Sequence, residues 1–182
     1  MEVLYLPSDS SLPPTFYISG DQLGITEQLT YLGSIITSTC DLTAEIQHRV
    51  NLASASFGRL SKRDFTNRDL STRTKMAVYN AICLSTLLYA CEGWPPYHRH
   101  IRALKTFHIR CLQTILTVHW WDKIPHVEIR RRAGATCLEK ILFRRQLRWL
   151  GHVIRMPGNR LPRRLLYSEL SSGVRWGSKE AF

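Results

Sequence analysis

A mostly α-helical α+β fold, with short N-terminal strands followed by a helical bundle, is what this 182-residue sequence predicts. Three observations carry that expectation. Up to about residue 37 the apolar residues come in short runs broken by Gly, Pro and Ser. From Asp41 they recur with a helical period of about 3.6. Ser, Pro and Gly then punctuate the helical stretches where caps and stops belong.

The strand region, residues 1–37, contains Val3 to Leu6, a Ser/Pro loop ending in Pro13 and Pro14, and Phe16 to Ile18. A Gly20-Asp21 turn and the run Thr30 to Ile36 complete it. Three short strands make a poor core alone, so they should join a larger sheet or pack on the helices.

Residues 38–94 follow as helices. Asp41 is placed as an N-cap, and Leu42, Ile46, Val50, Ala53, Phe57 and Leu60 form one apolar stripe behind it. A basic linker (Lys62, Arg63, Asn67, Arg68) leads to Ser71, the cap of a second helix reaching about Tyr89. Its apolar positions Ala77, Val78, Ala81, Ile82 and Leu88 surround much of its surface, so it should lie centrally.

The third segment, residues 95–170, is basic and helical. Pro95 and Pro96 open a helix with Ile101, Leu104, Cys111, Leu112 and Ile115 facing inward and Arg99, Arg102, Lys105 and Arg110 around the rest. A short piece, Val127 to Ala133, ends at Gly134. Thr136 and Glu139 are spaced as a capping box for a last long helix, which stops at about Met156, before Pro157 and Gly158. Residues 171–182 lose all periodicity and read as an irregular tail.

Charge separates these regions. The net charge is +11, yet the first 48 residues hold six acids and no Lys or Arg, whereas His98 to Arg164 holds 16 Lys or Arg against three acids. Such asymmetry points the C-terminal half toward a polyanion, with nucleic acid ahead of anionic membrane. The longest apolar stretch, Met76 to Cys91, is shorter than the roughly 18 residues of a membrane span. The five cysteines form no C-x-x-C pair and the N-terminus has no basic segment ahead of an apolar run, so the expected location is nuclear or cytoplasmic rather than secreted.

Two-metal nucleotidyl transfer needs carboxylates holding two ions about 4 Å apart. The sequence has no adjacent Asp pair, and its six Asp residues sit at caps, turns and linkers. Neither a P-loop, nor H-E-x-x-H, nor G-x-S-x-G is present. His108 and Cys111 share a helix face but supply only half of a zinc pattern, so the expectation is no catalytic residue, no metal site and no cofactor in this chain. The bland reading of that pair is a buried Cys111 beside a partly exposed His108.

Arg130, Arg131 and Arg132 fan around a short helix. Arg144, Arg145 and Arg148 put two guanidinium groups on one stripe beside Trp149, a combination suited to phosphates and bases. A solvated helix face with Trp149 in the core is the competing reading for any one of these residues. For Trp120 and Trp121, core packing of at least one is expected.

Taken in order, certain segments resemble a known family. They are Thr30-Tyr31-Leu32-Gly33-Ser34, Ala55 to Leu60, Lys75 to Tyr79, Ser85 to Tyr89 with Glu92-Gly93-Trp94, Phe107 to Leu112, Trp121-Asp122-Lys123-Ile124-Pro125, and Arg145 to Met156. This order is similar to the C-terminal third of the reverse transcriptase of non-LTR (LINE-type) retrotransposons, over about residues 1 to 170. The resemblance implies that Tyr31, Leu32 and Gly33 occupy a primer grip at the palm edge and that the following helices form the thumb and connecting region. It also implies that the Mg-binding aspartates of the RNA-directed DNA polymerase lie upstream of Met1. Val174 to Phe182 departs from the family's continuing basic sequence.

The expected activity is therefore weakly sequence-specific binding of RNA, RNA/DNA or DNA duplex through phosphates, by Arg99, Arg102, Lys105, Arg110, Arg144, Arg145 and Arg148. Association through an exposed strand edge is a further expectation. The competing readings are a protein-interaction module, an inactive pseudogene product, and a subunit completing a palm supplied by another chain.

Overall fold

The computed structural model describes residues 2–5, 15–18 and 20–168. The fold class is as the sequence predicts: a few short strands precede a helical assembly. The expected irregular tail at 171–182, and the Ser/Pro loop with Leu6, lie outside the described residues.

Among the described residues the strands form three separate pairs. β1 (Glu2–Leu4) runs parallel to β4 (Gly24–Thr26). β2 (Tyr17–Ile18) and β3 (Asp21–Gln22) pair antiparallel with Ile18 opposite Asp21, so Gly20 lies in a turn as expected, whereas Asp21 is already in the strand. β5 (Gln28–Tyr31) and β6 (Ser34–Thr37) make a hairpin, in the register Tyr31 opposite Ser34. The run Thr30 to Ile36 is thus not one strand, because it folds back at Leu32 and Gly33. Both have positive φ, 48° and 80°, as a two-residue hairpin turn requires.

Helix α1 (Thr43–Leu60) has Leu42, not Asp41 as expected, at its N-cap, with no side-chain cap; Asp41 lies one residue further out, where its Oδ1 accepts the Thr43 N–H at 3.3 Å. On its predicted stripe Ile46 and Ala53 are buried, and Leu42, Val50, Phe57 and Leu60 pack against the core. A wide π turn (Ser61–Phe65) brings Phe65 into a 4.5 Å stack on Phe57.

Ser71 caps α2 (Thr72–Val78) as expected, its Oγ accepting the Thr74 N–H. α2, a π turn (Tyr79–Leu84) and α3 (Ser85–Leu87) form one central rod. Its buried face is Met76, Tyr79, Cys83, Leu84, Leu87 and Leu88, whereas Ala77, Ala81 and Ile82, expected to pack, are exposed. The π turn adds a residue to the repeat and so shifts which positions face inward.

The basic region contains α4 (His98–Ile115), α5 (His126–Ala133), α6 (Leu138–Arg155) and α7 (Leu161–Tyr167). Leu104, Cys111, Leu112 and Ile115 of α4 are buried as predicted, with Ile101 half-buried. Gly134 ends α5 at φ +61°, a conformation glycine adopts without a Cβ penalty. The capping box at Thr136 and Glu139 does not form, and the residue before α6 is Cys137 with no side-chain cap. Glu139 is drawn away by Lys105 Nζ at 2.9 Å and by the Cys137 thiol. Leu161 to Tyr167, within the segment read as helical but beyond the last helix the sequence delimits, form α7, with Pro162 in its first turn.

No helix among the described residues is long and apolar enough to cross a membrane.

Candidate nucleic-acid interface

Tyr31, Leu32 and Gly33 stand at the tip of the β5–β6 hairpin, all exposed. The tip is clamped from beneath. Glu45 and Arg49, one turn apart on α1, form an ion pair of 2.6 Å with only 2% and 4% of each residue exposed. Glu45 also accepts the Ile35 N–H at 2.6 Å, while Arg49 donates to the Gly33 carbonyl and to Ser34 Oγ. The guanidinium lies 4.5 Å from the centre of the Tyr89 ring, whose hydroxyl donates to the Leu32 carbonyl. Neither Glu45 nor Arg49 stood out in the sequence. Their only signal was the i, i+4 spacing of opposite charges.

Leu32 is the unusual residue of this tip. A non-glycine side chain in the left-handed region costs about 1–2 kcal/mol, and Leu32, 75% exposed, recovers little of it by packing.

The predicted cations fall into two classes. Arg99, Arg102 and Arg110 border one shallow groove along α4, together with Val50, Thr106 and Phe107. Arg145, Arg148 and Trp149 line a second concavity against Ala90 to Gly93, with His152 and Arg155 beside them. Arg102, Arg110, Arg144 and Arg148 are exposed and make no ion pair among the described residues.

The remaining cations are engaged. Arg99 pairs with Asp41 at 3.0 Å and Lys105 with Glu139 at 2.9 Å. Arg145 donates to the Leu88 carbonyl at 2.7 Å, and Gln146 beside it donates to the Trp94 carbonyl, so both tie α6 to the end of the central rod. Arg131 and Arg132 share Glu128. Hydrogen bonds from Arg131 and then Arg132 hold the Glu128 carboxyl down at about 2.

Trp120 and Trp121 overturn the expectation of core packing. They sit on a short 3-10 turn (Trp120–Asp122), Trp120 82% exposed and Trp121 more than half exposed and stacked on His119 at 4.4 Å. The turn lies in the connection between α4 and α5 and none of its residues is buried. Trp149 is likewise exposed rather than in the core.

His108 is corrected in the opposite sense. It is 2% exposed, not partly exposed, and its Nδ1 lies 2.8 Å from the Tyr79 hydroxyl. Burial, then the charge of Arg130, hold this imidazole down at about 4. Burial raises Cys83 to about 11 and Cys111 to about 12, and it raises the Tyr79 hydroxyl as well. This cluster is neutral at physiological pH. No group of three or more potential metal ligands converges among the described residues.

Comparison with protein-family models, with curated proteins and with solved structures found no match to this chain.

Proposed function

We propose that this chain is the grip-and-thumb part of a retrotransposon-type reverse transcriptase and that it binds RNA or RNA/DNA duplex through phosphates. The observation that carries the reading is the file of Arg99, Arg102 and Arg110 along one groove of α4, the last two with no carboxylate partner among the described residues. Free guanidinium groups at helical spacing neutralise successive phosphates, and the released counterions supply the affinity. Trp120 offers an exposed ring on which an unpaired base can stack, beside Trp121, one face of which is covered by His119. The strained, clamped tip at Leu32 suits a loop that must present its backbone in one conformation to a strand, as the resemblance to a primer grip implies.

The family reading rests on the order of sequence segments. No step of polymerisation is assigned to this chain, since its 182 residues contain no adjacent Asp pair. A mobility-shift titration with RNA and RNA/DNA duplex of about 20 nucleotides tests the binding. The expected result is binding that weakens steeply with salt, and no detectable complex near about 50 mM salt would overturn it.

A second reading, a protein-interaction module, is favoured by the exposed apolar residues Phe143, Leu147 and Leu150 of α6 and Leu165 of α7. It predicts salt-insensitive association in sedimentation that Leu147→Glu abolishes.

A further inference from the structure

A cavity of about 320 Å³ lies among α4, α5 and α6, and its wall includes the buried His108. The ring presents one nitrogen, Nδ1, to Tyr79, and the other, Nε2, has no hydrogen-bond partner among the described residues although it is wholly buried. A polar atom left so in a low-dielectric site costs about 1–3 kcal/mol, which makes it a candidate contact for a ligand. In the tautomer in which the Tyr79 hydroxyl donates to Nδ1, the ring hydrogen sits on Nε2, and that nitrogen offers an N–H donor to an acceptor.

The rest of the cavity joins apolar Ile101, Ile109 and Leu138 to an excess of cations. Arg102, Lys105 and Arg130 line it against a single carboxylate, Glu139, which is already bound by Lys105 and the Cys137 thiol. Arg130 lines the same cavity as His108, and its charge is the second cause, after burial, that holds the imidazole down. Two helices also begin at this wall. α6 enters through Leu138 and Glu139 with no side-chain cap on its first N–H groups, and α5 enters through His126. Uncapped helix starts add partial positive charge where anions are favoured.

We infer that this cavity is a binding site for a phosphate monoester, as carried at the 5′ end of a nucleic-acid strand, with His108 Nε2 and Arg130 as its inner contacts and Arg102 at its rim. A monoester fits better than a backbone diester. It carries close to two negative charges and three acceptor oxygens, and needs entry from one side only, which suits a cavity closed at one wall by a buried ring. The shallow groove of Arg99, Arg102 and Arg110 runs past the same helix and would carry the strand onward.

This inference deepens the nucleic-acid reading above, and its test separates the two. Full-length chain is titrated by fluorescence anisotropy with one oligonucleotide bearing either a 5′-phosphate or a 5′-hydroxyl, in wild type, Arg130→Gln and Arg131→Gln. Thermal unfolding is followed in parallel in inorganic phosphate against chloride at matched ionic strength. Wild type should prefer the 5′-phosphate about tenfold, the worth of one charge-assisted contact. Arg130→Gln should erase that preference. Arg131→Gln, which removes the same charge from an exposed residue paired to Glu128, should keep it. His108→Gln, if folded by circular dichroism, should also lower the preference.

Equal affinity for the two oligonucleotides, or equal loss of preference in both arginine variants, would overturn the site. Should neither oligonucleotide bind while inorganic phosphate stabilises wild type but not Arg130→Gln, the site stands and the nucleic-acid reading falls. Failure of phosphate and of both oligonucleotides overturns the site.

Discussion

Arginine does opposite work in two regions of this molecule. At the junction of the β5–β6 hairpin and α1, Arg49 is buried, paired with Glu45 and spent on backbone carbonyls. Along α4 and α6, Arg102, Arg110, Arg144 and Arg148 stand in solvent without carboxylate partners among the described residues. The same side chain is a structural bolt where its donors are taken up by the protein's own acceptors and a binding group where donors are left open. Arg145 shows that sequence position does not decide between these roles. It lies between Arg144 and Arg148 in a basic run, yet its guanidinium is bound to the Leu88 carbonyl.

The comparison can be broken most forcefully at the junction. Arg49→Met leaves Glu45 buried without its counter-charge and should cost ~3–5 kcal/mol in urea unfolding, with loss of amide protection at Ile35. A cost below about 1 kcal/mol would mean the pair is solvated and the bolt imaginary.

Next in size is an acid transition in the helical core. His108 in the folded chain sits at about 4, below its ordinary value of 6.5. As pH falls, the unfolded chain therefore takes up the proton first. The stability is full above about pH 6.5 and is lost progressively toward pH 4, by ~3 kcal/mol. His100, also held down by burial, adds to the same slope, whereas the lowered carboxyls of Glu128 and Glu139 act further into acid. Urea midpoints between pH 7 and pH 4.5 measure this, and His108→Gln should flatten most of the slope.

Arg145 and Arg144 sharpen the contrast further. Arg145→Ala should cost about 1–2 kcal/mol, because the Leu88 carbonyl at the end of the central rod loses its side-chain donor. Arg144→Ala should leave stability within about 0.5 kcal/mol and weaken nucleic-acid binding instead. The smallest expected effect is at the hairpin tip, where Leu32→Gly should relieve strain and raise stability by about 1 kcal/mol. If that variant also weakens binding, the strained leucine is kept for contact rather than for folding.

Much of this fold was legible from residues with local physics. Ser71 caps its helix, Gly134 ends one, and Asp41 takes the Thr43 N–H, because each acts on backbone within three residues of itself. Features set by distant partners were not legible. The box at Thr136 and Glu139 was lost to Lys105, thirty-four residues away. The hairpin inside Thr30 to Ile36 depends on Arg49 and Tyr89 holding the two turn carbonyls. The buried face of the central rod moved because a π turn interrupts its 3.6-residue period. For the candidate site, the basic residues were found by counting, but which of them are free was not. That division depends on Asp41, Glu139 and Leu88, all remote in sequence. His108 was misplaced for the same reason, since its Tyr79 partner lies twenty-nine residues away.

The most direct test of the division is the salt dependence of binding to single-stranded RNA, compared among three proteins. These are wild type, a variant with Arg102, Arg110, Arg144 and Arg148 all changed to Gln, and a control with Arg131 and Arg132 changed to Gln. Four free arginines predict that log affinity falls with log salt at a slope of about −3, from roughly 0.7 per phosphate neutralised. The fourfold variant should lose nearly all of that slope, and the control, whose arginines serve Glu128, should retain most of it. A slope indifferent to the four arginines, or lost equally in the control, would contradict the account.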